Sequence, residues 1–176
     1  SYEAGAKGRL GRAVSFAASA FRVDWNDIQQ NVYLQHCGAQ FTANLGKARS
    51  EGFDLQATVK VAHGLSLDGT VSYTDAHFTQ DIAGGALATT ADHLETHPWT
   101  ATLGGDYETP LGSGSLYLRG DYQYKSTGAL TAFTNGALVG STGLPSASYD
   151  PNAIRTPSVH FASARIGWRH GEMDLS

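Results

Sequence analysis

The sequence predicts an all-β protein, an antiparallel up-and-down sheet of about seven to eight strands with short turns alternating with long loops. Three observations carry this expectation. Apolar and polar residues alternate with period two along most of the 176 residues, and no helix-length stretch has a 3.6-residue period. The connections between the alternating stretches switch regularly between tight and long. Glycine is abundant, 21 of 176 residues, while charged residues are only 16%, against a usual share of about 25%.

The strands follow in order. In 2–10, Tyr2, Ala4, Ala6 and Leu10 oppose Glu3, Lys7 and Arg9. Residues 13–25 are less regular: Phe21, Val23 and Trp25 form an apolar end with Arg22 and Asp24 opposite, and Phe16 shares the parity of those two charges. This reads as a strand whose polar face meets something packed inside. Residues 41–61 can run as a single strand of about 70 Å at ~3.3 Å per residue. Within it Phe53, Leu55, Val59 and Val61 oppose Asp54, Gln56, Thr58 and Lys60, whereas Lys47, Arg49 and Glu51 share the parity of Phe53. In 65–78, Leu65, Leu67, Val71 and Tyr73 oppose Ser66, Asp68, Thr70 and Ser72. Trp99, Ala101, Leu103 and Tyr107 oppose Thr100, Thr102, Asp106 and Glu108 in 97–108. Leu116, Leu118, Tyr122 and Tyr124 oppose Ser115, Arg119, Asp121 and Gln123 in 115–124. Ala162, Ala164, Ile166 and Trp168 oppose Ser163, Arg165 and Arg169 in 157–169.

Tight turns are expected at 11–12, 62–64, 109–114 and 170–172, and long segments at 26–40, 79–96 and 125–156. In an up-and-down sheet, this places every tight turn at one end and every long loop at the other. Short periplasmic turns, long external loops and alternating faces are the pattern of a transmembrane β-barrel of the bacterial outer membrane. The same reading accounts for the scarce charge, because Arg or Lys facing lipid at the midplane costs ~2–4 kcal/mol. The charges at Lys47, Arg49 and Glu51 then require their part of the strand to stand above the membrane.

Composition excludes several classes. An apolar share of 41% with only 16% charged residues argues against disorder, which combines low hydrophobicity with high charge, and no apolar run approaches the ~18 residues of a membrane helix. A net charge of −4 and a pI near 5.9 argue against a nucleic-acid partner. The single cysteine, Cys37, excludes an internal disulfide framework and a cysteine zinc cluster. The chain opens at Ser1 without a basic or apolar leader, so a signal peptide is expected to be absent or removed.

Several stretches resemble TonB-dependent outer-membrane receptors. They are Tyr2-Glu3-Ala4-Gly5-Ala6-Lys7, then Ala20-Phe21-Arg22-Val23-Asp24-Trp25-Asn26-Asp27-Ile28-Gln29, then the run from Ala43 to Leu55. The last is similar to a recurring N-x-G-x-A-x-S-x-G-x-E-L strand, with Asp54 in the Glu position. Gly64-Leu65-Ser66-Leu67, Tyr73-Thr74-Asp75-Ala76 and Ala164-Arg165-Ile166-Gly167-Trp168-Arg169 resemble later strands. The resemblance implies a 22-stranded barrel closed by an N-terminal plug, importing a siderophore, vitamin, saccharide or similar nutrient with energy passed by TonB. Residues 1–176 would then be a partial barrel domain from the C-terminal third, with the plug and the final strands absent. Implied partners are outer-membrane lipid and lipopolysaccharide, the plug and remaining strands, the TonB complex through the missing N-terminal part, and the nutrient. No enzyme activity, cofactor or metal is expected. The alternative is a small eight-stranded outer-membrane barrel with a structural or adhesive role.

Candidate ligand-binding residues lie in the loops and on the polar face. His93, Glu95 and His97 would share one face of an extended segment, and these residue types suit divalent metals, although a hydrated loop explains them as well. Trp99 is expected at headgroup level. Arg119 and Asp121, with Arg165 and Arg169, face the presumed lumen, where they contact the plug or the ligand, or pair with one another across strands. Phe133, Asn135, Tyr149 and Arg155 sit among small polar residues, a composition suited to an adaptable binding surface. His36 and Cys37 form no catalytic set, and Cys37 is expected to be an exposed thiol or to pair outside this segment.

Overall fold

A computed structural model describes residues 1–34, 38–44, 46–140, 143–170 and 173–175. His36 and Cys37 lie outside them, as do Gly171 and Glu172 of the last expected turn. The strands are β1 (Tyr2–Leu10), β2 (Val14–Asn26), β3 (Gln29–Leu34), β4 (Ala39–Asn44), β5 (Lys47–Ala62), β6 (Leu65–Phe78), β7 (Trp99–Leu111), β8 (Gly114–Lys125), β9 (Val159–His170) and β10 (Met173–Leu175). A 3-10 turn spans Ala83–Gly85. Eight strands form one antiparallel sheet in the order β1-β2-β5-β6-β7-β8-β9-β10, and β3 and β4 form a separate two-stranded sheet. The sheet is open, with β1 and β10 at its edges.

The alternation of connections holds. Residues 11–13, 63–64 and 112–113 are tight turns at one end; 27–46, 79–98 and 126–158 are long connections at the other. The turn expected at 109–114 shrinks to Gly112-Ser113, since Leu111 already pairs with Gly114. Gly112 has φ +62° and Gly64 has φ +74°, a backbone that glycine adopts without a Cβ penalty. A Cβ on Gly64 would also collide with the Glu108 carbonyl, whose own amide donates to Gly64 O at 2.7 Å.

The expected single strand over 41–61 is two strands. Gly46 at φ +75° turns the chain, and Ile28 N donates to Gly46 O at 3.2 Å. This pinches off β3 and β4 as a separate hairpin, so the long segment after β2 carries its own two-stranded element.

Register sorts the side chains onto two faces. One carries Gln56, Thr70 and Thr102 in one row, Thr58, Asp68 and Asp121 in the next, and Asp106, Arg119 and Arg165 beyond. The other carries Leu55, Leu67, Val71, Leu103, Leu118 and Ile166, all between 39% and 63% exposed. Aliphatic side chains so bare on a whole sheet face belong against lipid. We call this the outer face.

The inner face changes character toward the loop end. There Ala48 and Phe78 are buried together with Ile82, Ala88 and Ala132, and Ile28, Leu87 and Leu94 pack on them. The apolar core is therefore not in the sheet's middle but where the long loops fold over its inner surface. Phe21, Val23 and Trp25 pair with Gly52, Ser50 and Ala48 and so lie on this inner face, while Arg22 and Asp24 lie on the outer one. This corrects the expectation for the loop-end half of β2: its apolar side, not its polar side, turns to the inner face, with Trp25 still 45% exposed. The reason is the loop core, which supplies an apolar surface inside and leaves water outside.

Candidate functional site

The outer face carries two aromatic levels. Phe53, Tyr73 and Trp99 lie in one register row, with ring centroids 4.8 to 6.0 Å apart. Trp168 marks the other level, in the row of Leu116 and Thr109. Trp99 and Thr109 are ten residues apart on β7, about 33 Å along the strand and ~25 Å in height at a tilt of ~40°. That is the height of the apolar band of an outer-membrane barrel, ~25 Å between aromatic girdles. Trp99 lies in the row at the loop end of that span.

Above that boundary the loop segments extend the wall. His93 forms a bridge with His77, Leu94 N donates to Ala76 O, Ala129 N to Thr96 O and Gly128 N to Thr156 O, each at 2.8 Å for the amide bonds. These pairings bring residues 92–96, 128–130 and 156 side by side. The two long loops are also tied through Asp92, which is 2% exposed. Its Oδ2 accepts from the Thr89 amide at 2.7 Å and hydroxyl at 3.0 Å, and its Oδ1 accepts from Asn135 Nδ2 at 2.6 Å.

This arrangement brings Glu95, Phe133 and Arg155 to one crevice of about 250 Å³, lined also by Gly128, Thr131, Thr134, Ile154 and Thr156. Arg155 is fixed by a hydrogen bond from its Nε to Gly128 O at 2.8 Å, and Glu95 Oε1 accepts from the Thr156 hydroxyl at 3.4 Å. Phe133 is 44% exposed and Ile154 84%. A cation, a carboxylate, several hydroxyls and an aromatic face can together hold a polar ligand carrying a flat or apolar part. The volume is below that of pockets enclosing a drug-sized molecule, so the crevice is one contact surface and not a full enclosure.

The remaining candidates go elsewhere. His93 and His97 do not join Glu95 around a common point. His93 Nε2 lies 3.2 Å from Asp75 Oδ1, and His77 Nδ1 lies 3.2 Å from Asp75 Oδ2. His97 Nδ1 instead donates to the Ser126 carbonyl. Among the described residues no group of three or more His, Cys, Asp or Glu side chains is arranged to hold a metal ion. Tyr149 lies against Gly136, where a Cβ would meet its ring at 3.0 Å, and is not among the crevice residues.

Arg119 and Asp121 form an ion-pair network on the inner face. Arg119 Nε donates to Asp121 Oδ2 at 3.0 Å, Nη2 to Oδ1 at 2.5 Å, and Nη1 to Asp106 Oδ2 at 2.6 Å. Asp68 stands 3.9 Å away. One guanidinium thus faces three carboxylates, a fork geometry that suits Arg better than Lys. Asp106 is the partner that sequence reading did not pair, because its opposition to Arg119 depends on the two-residue turn at Gly112-Ser113. Arg169 lies over the Tyr117 ring at 5.2 Å.

Asp75 and His77 were not singled out from sequence. Their signal was present: they continue the parity of Tyr73 past the aromatic level, on the outer face. Arg22, Asp24 and Arg49, whose parity the sequence did mark, also lie on the outer face past that level. Arg22 donates Nε and Nη2 to Asp24 at 3.1 and 3.3 Å, and Arg49 donates Nε to Asp24 Oδ1 at 2.8 Å. The Arg49 guanidinium, then that of Arg22, holds the Asp24 carboxyl below its ordinary range.

Comparison with known proteins follows from this geometry. Residues 1–176 match the family described as TonB dependent receptor-like, beta-barrel. No curated protein matches the chain significantly in sequence. Among solved structures, the fold is similar to BauA, the ferric preacinetobactin receptor from Acinetobacter baumannii, at 18% identity and a TM-score of 0.64, covering 96% of this chain and 22% of that one. It is also similar to the FrpB iron transporter from Neisseria meningitidis (F3-3 variant), at 17% identity and a TM-score of 0.59, covering 95% and 24%. The chain therefore spans about a quarter of the length of these structures. With the family matched from end to end and its barrel strands laid out as described, this chain belongs to the TonB-dependent receptor β-barrel family, a family of transport receptors of the outer membrane.

Proposed function

We propose that residues 1–176 form part of the barrel domain of a receptor that imports a scarce nutrient across the outer membrane, with energy supplied through TonB. The observation that carries the reading is the joining of two long loops at one end of a lipid-facing sheet, where Asp92 and Asn135 fix a crevice holding Glu95, Phe133 and Arg155. Those three residues take up ligand from outside. Arg119 and Asp121, with Asp106, line the inner wall and meet the plug. The remaining strands complete the barrel against β1 and β10, lipid and lipopolysaccharide surround it, and TonB engages the N-terminal part of the receptor. The role is transport and not catalysis. A ferric chelate is the favoured nutrient, because the solved structures with this fold are a ferric preacinetobactin receptor and an iron transporter.

The small eight-stranded barrel would need β1 to pair with β10, and these are the two edges of the sheet. The test is uptake by the full-length receptor in cells lacking other iron receptors. Growth on limiting iron should depend on the receptor and on TonB, and Arg155→Ala should raise the chelate concentration needed for half-maximal uptake severalfold. Uptake indifferent to TonB would overturn the receptor reading; TonB-dependent uptake unchanged by Arg155→Ala and Phe133→Ala would overturn the crevice.

A further inference from the structure

Elsewhere in the chain opposite charges close on each other. Arg119 reaches Asp106 and Asp121, and Arg22 and Arg49 share Asp24. The loop crevice departs from that habit. Its lining carries one cation, Arg155, and one carboxylate, Glu95, and neither enters an ion pair among the described residues. Each is held by a neutral group instead. Arg155 Nε donates to Gly128 O at 2.8 Å, and Glu95 Oε1 accepts from the Thr156 hydroxyl at 3.4 Å. A peptide oxygen and a hydroxyl orient the two side chains without cancelling either charge.

The backbone beneath sets their separation. Gly128 N donates to Thr156 O and Ala129 N to Thr96 O, each at 2.8 Å. Arg155 and Glu95 therefore stand on the two segments that flank 128–130, about 10 Å apart between backbones at ~4.8 Å per pairing. The other carboxylates nearby do not line the crevice and are engaged. Asp92 is held by Thr89 and Asn135. The Asp150 amide donates to Phe133 O, and its Oδ1 accepts from the Asn152 amide. The crevice thus presents two separate full charges that sum to zero.

Separated signs with a zero sum select in a particular way. A purely anionic group gains Arg155 and is repelled by Glu95; a purely cationic group meets the reverse. A group with both signs gains from both, while each charge acts against the wrong ligand. The guanidinium fork matches a carboxylate, and hydrogen bonds between charged partners are the strong ones. Phe133, 44% exposed, offers its ring face to a flat group. A volume of about 250 Å³ takes one end of a ligand and not a whole chelate.

We propose that the crevice recognises a zwitterionic end of its ligand, of the amino-acid type, with the carboxylate on Arg155, the ammonium on Glu95 and a flat ring against Phe133. Glu95 is then the residue that sets specificity, since it turns away polyanionic ligands that Arg155 alone would accept. Such a site rests on the receptor reading above and narrows it, from any polar ligand to one carrying both signs of charge.

The test uses the full-length receptor in detergent and ferric complexes of one linear trihydroxamate that ends in a tyrosine linked through its phenol oxygen. Three forms are compared: free amino and carboxyl groups, N-acetylated, and methyl ester. Equilibrium dialysis with radioactive iron reads Kd. The zwitterionic form should bind about tenfold tighter than either blocked form, the scale of one charge-assisted contact. Glu95→Gln should erase the penalty on the N-acetylated form and keep that on the ester. Arg155→Gln should do the opposite. Both side chains are exposed, so neither substitution opens a cavity. Glu95→Lys should reverse the ranking and favour an N-succinylated form, which carries two carboxylates, over the zwitterion. Equal affinity of the wild type for all three forms would overturn the proposal. So would variants that each lose both preferences together, because that is the mark of a merely structural role. TonB-dependent uptake is measured in parallel: lost selection with TonB dependence intact sinks the zwitterion site alone, whereas selective binding without TonB-dependent uptake would refute the receptor reading instead.

Discussion

Asp92→Ala should loosen the two long loops from each other while leaving the barrel strands intact. Asp92 is the largest fully buried side chain among the described residues, and it accepts three hydrogen bonds from the two loops. Truncation leaves the Thr89 amide and the Asn135 amide group without that acceptor. A buried donor left unsatisfied costs about 1–3 kcal/mol, and bonds to a charged group lie at the upper end. Two stranded donors give about 3–5 kcal/mol, reduced to about 3 if water enters the space. The loss falls on local opening of the loops, because the sheet bonds from β5 to β9 do not involve Asp92. At 1.4 kcal/mol per factor of ten, amide protection around residues 86–94 and 130–136 should fall by about a hundredfold. Hydrogen exchange of the full-length receptor read by mass spectrometry measures this peptide by peptide. Asp92→Asn keeps one acceptor oxygen and should fall between. Unchanged loop protection in Asp92→Ala, or an equal loss in β6 and β7, would refute the idea that this carboxylate joins the loops.

Three further outcomes follow from the same geometry. Arg119→Met should barely move the unfolding midpoint, since the Arg119, Asp106 and Asp121 side chains are 41%, 46% and 37% exposed and exposed pairs contribute little; a urea titration of the inserted receptor reads it. Gly64→Ala should cost more than 1 kcal/mol in the same titration, because φ is +74° and the new Cβ meets the Glu108 carbonyl. Asp24 stands above the membrane band with its pKa lowered by Arg49 and Arg22. Its stabilising contribution is present above the unfolded carboxyl value near 3.9 and is lost only as pH falls through the lower folded value. Wild type and Asp24→Asn should therefore show parallel stability profiles from neutral pH down to about pH 4 and converge below it.

The sheet was legible because lipid is an uncompromising solvent for one face: period-two runs such as 65–77 and 115–124 became β6 and β8 almost to the residue. The β3–β4 hairpin was not, because a short ribbon outside the sheet has no lipid face to impose that alternation. The crevice was legible only in its members. Glu95, Phe133 and Arg155 had the right chemistry, but their meeting depends on Asp92 reaching Asn135, 43 residues away. No local period encodes such a contact. The same limit scattered His93 and His97: shared parity placed them on one side of the chain, and different neighbours, Asp75 and Ser126, then claimed them.

β2, β5 and β6 share one more regularity, and it explains the strand that sequence reading turned inside out. Below the row of Ala20, Phe53 and Tyr73, the outer residues are Ala18, Leu55 and Val71, and the inner ones are Ser19, Asp54 and Ser72. Above that row the outer residues are Arg22, Glu51 and Asp75, then Asp24, Arg49 and His77; the inner ones are Val23, Ser50 and Ala76, then Trp25, Ala48 and Phe78. The backbone alternation runs through without a break, yet its meaning reverses. Inside the membrane the solvent outside is oil and the lumen is wet. Above it the solvent outside is water, and the loop core around Ile82 and Ala88 makes the inside apolar. A strand that crosses this boundary must invert its pattern at the crossing. The inversion therefore marks the boundary between the two environments at the same row that the Phe53, Tyr73 and Trp99 rings occupy. A charge placed on the outer face below that row, such as Leu55→Lys, would meet hydrocarbon at a cost of up to ~2–4 kcal/mol, whereas Arg49, four residues above Phe53, is paired with Asp24 in the charged part of that face. Comparing membrane insertion of Leu55→Lys with that of Glu51→Lys tests the boundary, and equal insertion of the two would move it.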